Sequence, residues 1–207
     1  MRKIVFFTVF FVLIAIASYF LKEKMTPGDY FSAGLEAYTE KNYARALRLL
    51  KKSDRPEAVF TLGAMHFAGK GVPENRETAL SLYKKAADLN YAPALTTLGI
   101  LYAEEKNLDE AMSCLEKAAA LNDGDALILL AKWYQNGINV ERNYPKAVEY
   151  YEAAAKAGVL DAETALYIIY SNGKKGVPRN LYKAMRHRAK VEKQNELLKK
   201  LRPSEKK

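Results

Sequence analysis

Cysteine occurs once in 207 residues, at Cys114, and histidine twice, at His66 and His187. A single thiol closes no disulfide, so no disulfide framework holds this chain and no multi-thiolate metal site can form. Two imidazoles leave little for metal binding or imidazole catalysis. No metal and no cofactor is expected. There is also no Asn-x-Ser/Thr acceptor, which argues against a glycosylating secretory lumen.

Charge is missing from residues 4–21, an apolar run framed by Arg2 and Lys3 before it and Lys22, Glu23 and Lys24 after it. Eighteen helical residues at about 1.5 Å each span roughly 27 Å, near the thickness of a bilayer's hydrocarbon core. Residues 1–24 therefore read as an export signal or a membrane anchor, outside the folded domain. Cleavage after Ala17 fits the small residues around it, whereas Tyr19, Phe20 and Leu21 extend the run as an anchor would. Arg2 and Lys3 favour export of the chain beyond the run, although Lys22 and Lys24 nearly balance them. The expected location is a bacterial cell envelope: periplasmic or secreted, or anchored in the inner membrane by residues 4–21.

The net charge of +9 is unevenly spread. Residues 1–24 carry +3, residues 25–173 carry −4 and residues 174–207 carry +10. The chain is a mildly acidic body with a basic end. Such an end can bind anionic lipid or another polyanion. The body has no basic face interleaved with aromatics, so nucleic acid is not expected as a partner.

A repeat is present. Ala58-Val-Phe-Thr-Leu62-Gly63 recurs as Ala94-Leu-Thr-Thr-Leu98-Gly99, Ala126-Leu-Ile-Leu-Leu130-Ala131 and Ala162-Glu-Thr-Ala-Leu166-Tyr167. A second amphipathic stretch follows each, with its first alanine at Ala79, Ala111, Ala147 and Ala184. An earlier unit pairs Gly34 with Ala46. The units starting at Gly34 and Gly99 have room for a tight helical hairpin, and the others add about a turn of loop. Gly63, Gly99 and the Ala-Ala pairs at Ala86, Ala118 and Ala154 predict close helix approach. Gly69, Gly137 and Gly173 predict helix stops with left-handed backbone. Val72, Val140 and Val177 should tuck each long loop inward. Gly69-Lys70-Gly71 is thus a structural turn; a phosphate loop would require Gly-x-x-x-x-Gly-Lys-Ser/Thr after a strand.

These residues resemble a known family. The short-loop units look like tetratricopeptide repeats. The long-loop units look like their Sel-one-like relatives, and Leu62, Gly63, Gly69, Gly71, Val72, Ala79, Tyr83, Lys85, Ala86 and Ala87 carry the pattern best. His66 stands where that pattern has Tyr, and Ala131 and Tyr167 stand where it has Gly. The resemblance implies an all-α fold: a right-handed α-solenoid of about five helical hairpins over residues 29–190. A hydrophobic helix precedes it, and a closing helix leads into a basic end at residues 191–207. Stacking buries each hairpin against its neighbours.

The resemblance also implies a non-enzymatic adaptor whose first helices line a concave, protein-binding side. Counting from each small residue, the inward candidates are Phe31, Leu35 and Tyr38; Phe60, Ala64 and Phe67; Thr96, Ile100 and Ala103; Ile128, Lys132 and Gln135; and Thr164, Ile168 and Ser171. The first two triplets are aromatic and could hold a peptide or helix of a partner. No small-molecule substrate is expected. Some relatives rich in cysteine handle β-lactams, which leaves that enzyme class as an alternative. Ser-x-x-Lys occurs at Ser81, Ser171 and Ser204, but without Ser-Asp-Asn or Lys-Thr-Gly partners. A second alternative is binding of anionic membranes or polyanions through the basic end. Cys114 and His66 read as packing residues.

Overall fold

The computed structural model describes residues 26–201, so the apolar segment at residues 4–21 lies outside it. Ten helices and no strand are found among the described residues. They are α1 (Pro27–Thr39), α2 (Tyr43–Leu50), α3 (Pro56–Phe67), α4 (Arg76–Asp88), α5 (Ala92–Glu104), α6 (Leu108–Ala120), α7 (Gly124–Asn136), α8 (Tyr144–Lys156), α9 (Leu160–Asn172) and α10 (Leu181–Leu201). The fold is all-α, and the helices alternate as the repeat predicts. The chain divides into two compact units between Ala79 and Leu80, within α4.

In the first unit α1 and α2 form a hairpin and α3 packs on both. Thr26 opens α1 with a capping box: its backbone N–H donates to Asp29 Oδ2 at 2.7 Å and its hydroxyl accepts from the Asp29 N–H at 3.2 Å. Pro27 and Pro56 begin α1 and α3, where a missing N–H costs no helical bond. A Cβ on Gly34 would stand 2.8 Å from the Leu50 side chain, so a larger residue there would have to push that leucine aside.

In the second unit α5–α6, α7–α8 and α9–α10 are hairpins, with α6 against α7 and α8 against α9. Leu115, Leu130 and Leu166 are fully buried at their centres. Gly99 repeats the Gly34 device, its missing Cβ leaving room for Leu115 at 2.7 Å. The hairpins connect through one turn. Asn90, Asn122 and Gly158 take positive φ. The next residue's N–H reaches back to the first alanine of the pair, Ala86, Ala118 or Ala154. This is the bonding of a Schellman motif, which satisfies the orphan carbonyls of a helix end.

The long loops are packed turns, as their glycines and valines predict. Gly71 has φ +75°, and a Cβ there would stand 2.6 Å from that of Tyr43. Gly176, at φ +78°, sits on the ring of Pro145, 2.9 Å from where its Cβ would stand. These two loops therefore seat on the start of the preceding repeat's second helix. Asn139 takes the place of Gly71 in the fourth repeat and also has positive φ. Gly137 closes α7 in the left-handed region as expected. Gly69 does so too: it follows the α3 cap residue Ala68 at φ +64°, and the Lys70 N–H reaches back to the Met65 carbonyl as at the other helix ends. The Gly173 expectation needs correction, since its φ of +68° goes with an extended ψ of 156°.

One residue type was overlooked from the sequence. Asn42, Asn75, Asn107, Asn143 and Asn180 each precede a second helix and stand four residues before its alanine. Each backbone N–H donates to the carbonyl of the matching first-helix residue: Ala37, His66, Tyr102, Tyr134 or Tyr170. Four of the side chains also cap the helix they open, accepting from Arg45, Thr78, Lys146 and Lys183. Asn107 has no such side-chain bond.

Candidate protein-binding surface

The predicted binding residues lie on the first helices of the repeats, and each unit carries its own set. In the first unit Phe31, Leu35, Tyr38, Phe60 and Ala64 are half-buried, and Phe67 is 39% exposed. Three of the rings lie under a cation: Arg55 is 4.8 Å above Phe31, Lys70 is 5.0 Å above Tyr38, and Arg76 is 5.8 Å above Phe67. Lys70 also donates to the Tyr38 hydroxyl at 2.8 Å, which raises the pKa of its ammonium above the ordinary lysine value. Tyr43 meets Tyr38 edge-on and lies under Lys70 as well. Arg55 is held on its other side by Glu57 at 2.9 Å.

Arg55 and Lys70 come from connections and Arg76 from the first position of α4, and the count along the first helices does not reach them. Their effect is local. A ring under a guanidinium or ammonium keeps an apolar body and gains a cationic rim. Such a surface suits a segment that offers both apolar and acidic side chains.

In the second unit the set differs. Ile100 and Ile168 are 42% and 48% exposed, Lys132 is exposed, and Ile128 is half-buried against the core. Thr96 does not belong to an open surface. It is 6% exposed and donates to Asp123 Oδ1 at 2.8 Å, and the same oxygen accepts from the Ala126 N–H to cap α7. Gln135 is engaged too, accepting from the Tyr151 hydroxyl at 2.7 Å. Of the predicted residues, the second unit presents Ile100, Lys132, Thr164 and Ile168 as exposed side chains.

Cys114 and His66 are both half-buried. Burial pushes the Cys114 thiol up, which disfavours the reactive thiolate. His66 is half-buried, with Nδ1 enclosed and without a hydrogen-bond partner, at the position where three other units carry a tyrosine. No cluster of three or more His, Cys, Asp or Glu able to hold a metal is found among the described residues.

The model of the Sel1 repeat matches five times, over residues 28–53, 56–91, 94–123, 124–159 and 162–187. The chain belongs to the Sel1 repeat family. Sel1 repeats generally mediate protein–protein interaction. Among solved structures, a Sel1 repeat protein from Oxalobacter formigenes is 28% identical with a TM-score of 0.70, over 79% of this chain and 69% of that one. A protective antigen with an SLR fold from uropathogenic Escherichia coli, c5321, is 22% identical with a TM-score of 0.52, over 83% of this chain and 47% of the antigen, and speaks for the fold alone. Among curated proteins, the DAP3-binding cell death enhancer 1 of Rattus norvegicus is 34% identical over 98 residues, 46% of this chain. The chain spans about a fifth of that relative's length, 19%.

Proposed function

We propose that this Sel1 repeat chain is a non-enzymatic adaptor that holds a segment of a partner protein on the first helices of its first unit. The observation that carries this reading is the row of Phe31, Tyr38 and Phe67, each a partly accessible ring beneath a cation. Aromatic and arginine side chains dominate binding energy where interfaces form. The same proposal places the adaptor in a bacterial cell envelope, with residues 4–21 as its export signal or anchor. It rests there on the apolar run and its flanking charges.

The test begins with in-cell crosslinking and mass spectrometry to identify a partner. Its capture is then measured with Phe60→Ala/Phe67→Ala. Truncating two central aromatics is expected to cost about 2 kcal/mol or more of binding, roughly thirtyfold, while far-UV helicity is retained. Capture that survives with unchanged affinity would sink the assignment. An alkaline phosphatase fusion after residue 30 should be active if the repeats are exported, and inactivity would remove the envelope placement.

A further inference from the structure

The last hairpin departs from the others. Helices α8 and α9 have 13 residues each, but α10 has 21. Where α8 carries the small pair Ala154-Ala155 and then turns at Gly158, α10 carries Val191-Glu192 and continues as helix to Leu201. Its last two turns therefore overhang the Gly158 turn and the start of α9. The recess between them measures about 560 Å³. Ala155, Gly158 and Leu160 line one side, and Lys193, Leu197 and Lys200 line the other.

The recess has a fixed floor. Glu163 is only 6% exposed, and the matching residues of three other repeats, Val59, Leu95 and Leu127, are buried and apolar. Here the carboxylate takes a bond from His187 Nδ1 at 2.5 Å and one from Lys190 Nζ at 2.7 Å, both from α10. The His187 ring stacks on Tyr170 of α9. Two helices are thus pinned across the base of the recess by a closed polar cluster.

Its rim is positive. A second recess of about 330 Å³ shares Ala155 and Lys190 and adds Lys156, Lys183 and Arg186. Together the two recesses are lined by six cations and three carboxylates, Glu152, Glu163 and Glu196. Two of those carboxylates are committed: Glu163 within the base cluster and Glu152 to the Tyr170 hydroxyl at 2.9 Å. Lys193 and Lys200 make no ion pair among the described residues. Leu197 is 50% exposed between them.

We propose that this recess is a second binding site, for a short acidic segment of a partner polypeptide. An apolar side chain of the segment would sit against Leu160 and Leu197, and flanking carboxylates would meet Lys193 and Lys200. Charge complementarity favours an anionic occupant, and the shape decides which kind. A recess between two helices admits a chain, whereas a flat bilayer would reach only the rim.

The test measures fluorescence anisotropy of a labelled peptide of alternating Glu and Leu with the full chain. Binding that weakens as salt rises is expected. Lys193→Glu/Lys200→Glu should weaken it by roughly tenfold or more, since two attractive pairs become repulsive. Lys193→Gln/Lys200→Gln serves if the reversal perturbs the thermal melt, with roughly a threefold loss expected. Lys174→Glu/Lys175→Glu makes the same change in net charge away from the recess and should leave affinity within about twofold. All affinities are measured in a Phe60→Ala/Phe67→Ala background, because the ring-and-cation surface of the first unit also suits an apolar and acidic segment; binding that survives there belongs to this recess, so the two sites can fail or stand apart. Three results would overturn the proposal: equal loss in the Lys174/Lys175 control, equal binding of an alternating Lys and Leu peptide, or no peptide binding. Capture by phosphatidylserine vesicles through Lys193 and Lys200, without peptide binding, would assign the same lysines to a membrane instead.

Discussion

In the unit that ends at Ala79, the binding face of the first helices is built from rings under cations: Arg55 on Phe31, Lys70 on Tyr38, Arg76 on Phe67. In the unit that begins at Leu80 the corresponding helices present Ile100 and Ile168, bare aliphatic side chains more than 40% exposed. The scaffold is the same in both. Gly34 and Gly99 admit a leucine, and Gly71 and Gly176 seat a loop on the start of a second helix. A repeat thus fixes backbone and core, and leaves a few outward positions free to diverge. Function is to be sought where equivalent positions differ.

The largest expected effect tests the shared scaffold. Gly71→Val places a β-branched residue at φ +75° and drives its Cβ into Tyr43, where the nearest backbone atom stands 3.0 Å away. Strain and overlap together should cost about 3 kcal/mol, read from urea unfolding. Gly158→Ala separates the two terms. Its φ is +90° but nothing lies within 4 Å, so the cost should be only about 1 kcal/mol. Equal losses for the two variants would show that the loop does not seat on Tyr43.

An intermediate effect comes from the buried carboxylate of the last repeat. Burial pushes the Glu163 pKa up, but hydrogen bonds from Lys190 and His187 outweigh burial and hold it below the ordinary glutamate value of 4.5. A depressed folded-state pKa contributes stability above the unfolded value, and that stability is lost as pH falls through the folded one. The attachment of α10 should therefore weaken below about pH 4.5, seen as faster amide exchange in α10 than in α8. Glu163→Leu restores the apolar residue type of the other repeats and should abolish this acid step. An acid step that persists in the variant would place its origin elsewhere.

The hairpin order was legible from Leu62, Leu98, Leu130 and Leu166, because each fills the same buried place in its own unit. The long loops were legible from glycines that only positive φ explains. The surface was legible in part. Counting along one helix found Phe67, Ile100 and Ile168, but put Thr96 among them. Its partner Asp123 lies on another element, and no helical count reveals that bond. The cations over the rings escaped for a related reason: Arg55 and Lys70 belong to connections, where the period carries no information. Glu163 is a lone acid in an apolar register, and only α10 shows why it stays buried. The five asparagines were visible at a constant spacing. They were passed over because attention to apolar and small positions skips polar caps.

Those asparagines provide the finest test, since they separate a cap from a mere position in the repeat. Asn143 accepts from the Lys146 N–H at 3.0 Å, whereas Asn107 has no cap bond although its backbone N–H makes the same link to the first helix. Alanine keeps the backbone link and removes only the side chain. Asn143→Ala should therefore cost about 1 kcal/mol, the usual loss for an N-cap. Asn107→Ala should cost no more than a few tenths, because there is no cap to lose. Helix α6 compensates with Asp109 and Glu110 in its first turn, whereas α8 has no acid there. Acids near a helix N-terminus interact favourably with its dipole, at about 0.3–1 kcal/mol each. The difference should accordingly narrow when an acid is given to α8, as in Lys146→Glu, measured in the background of Asn143→Ala. Equal losses at Asn107 and Asn143 would mean that the asparagine is kept for its backbone conformation and that the side-chain bond adds nothing.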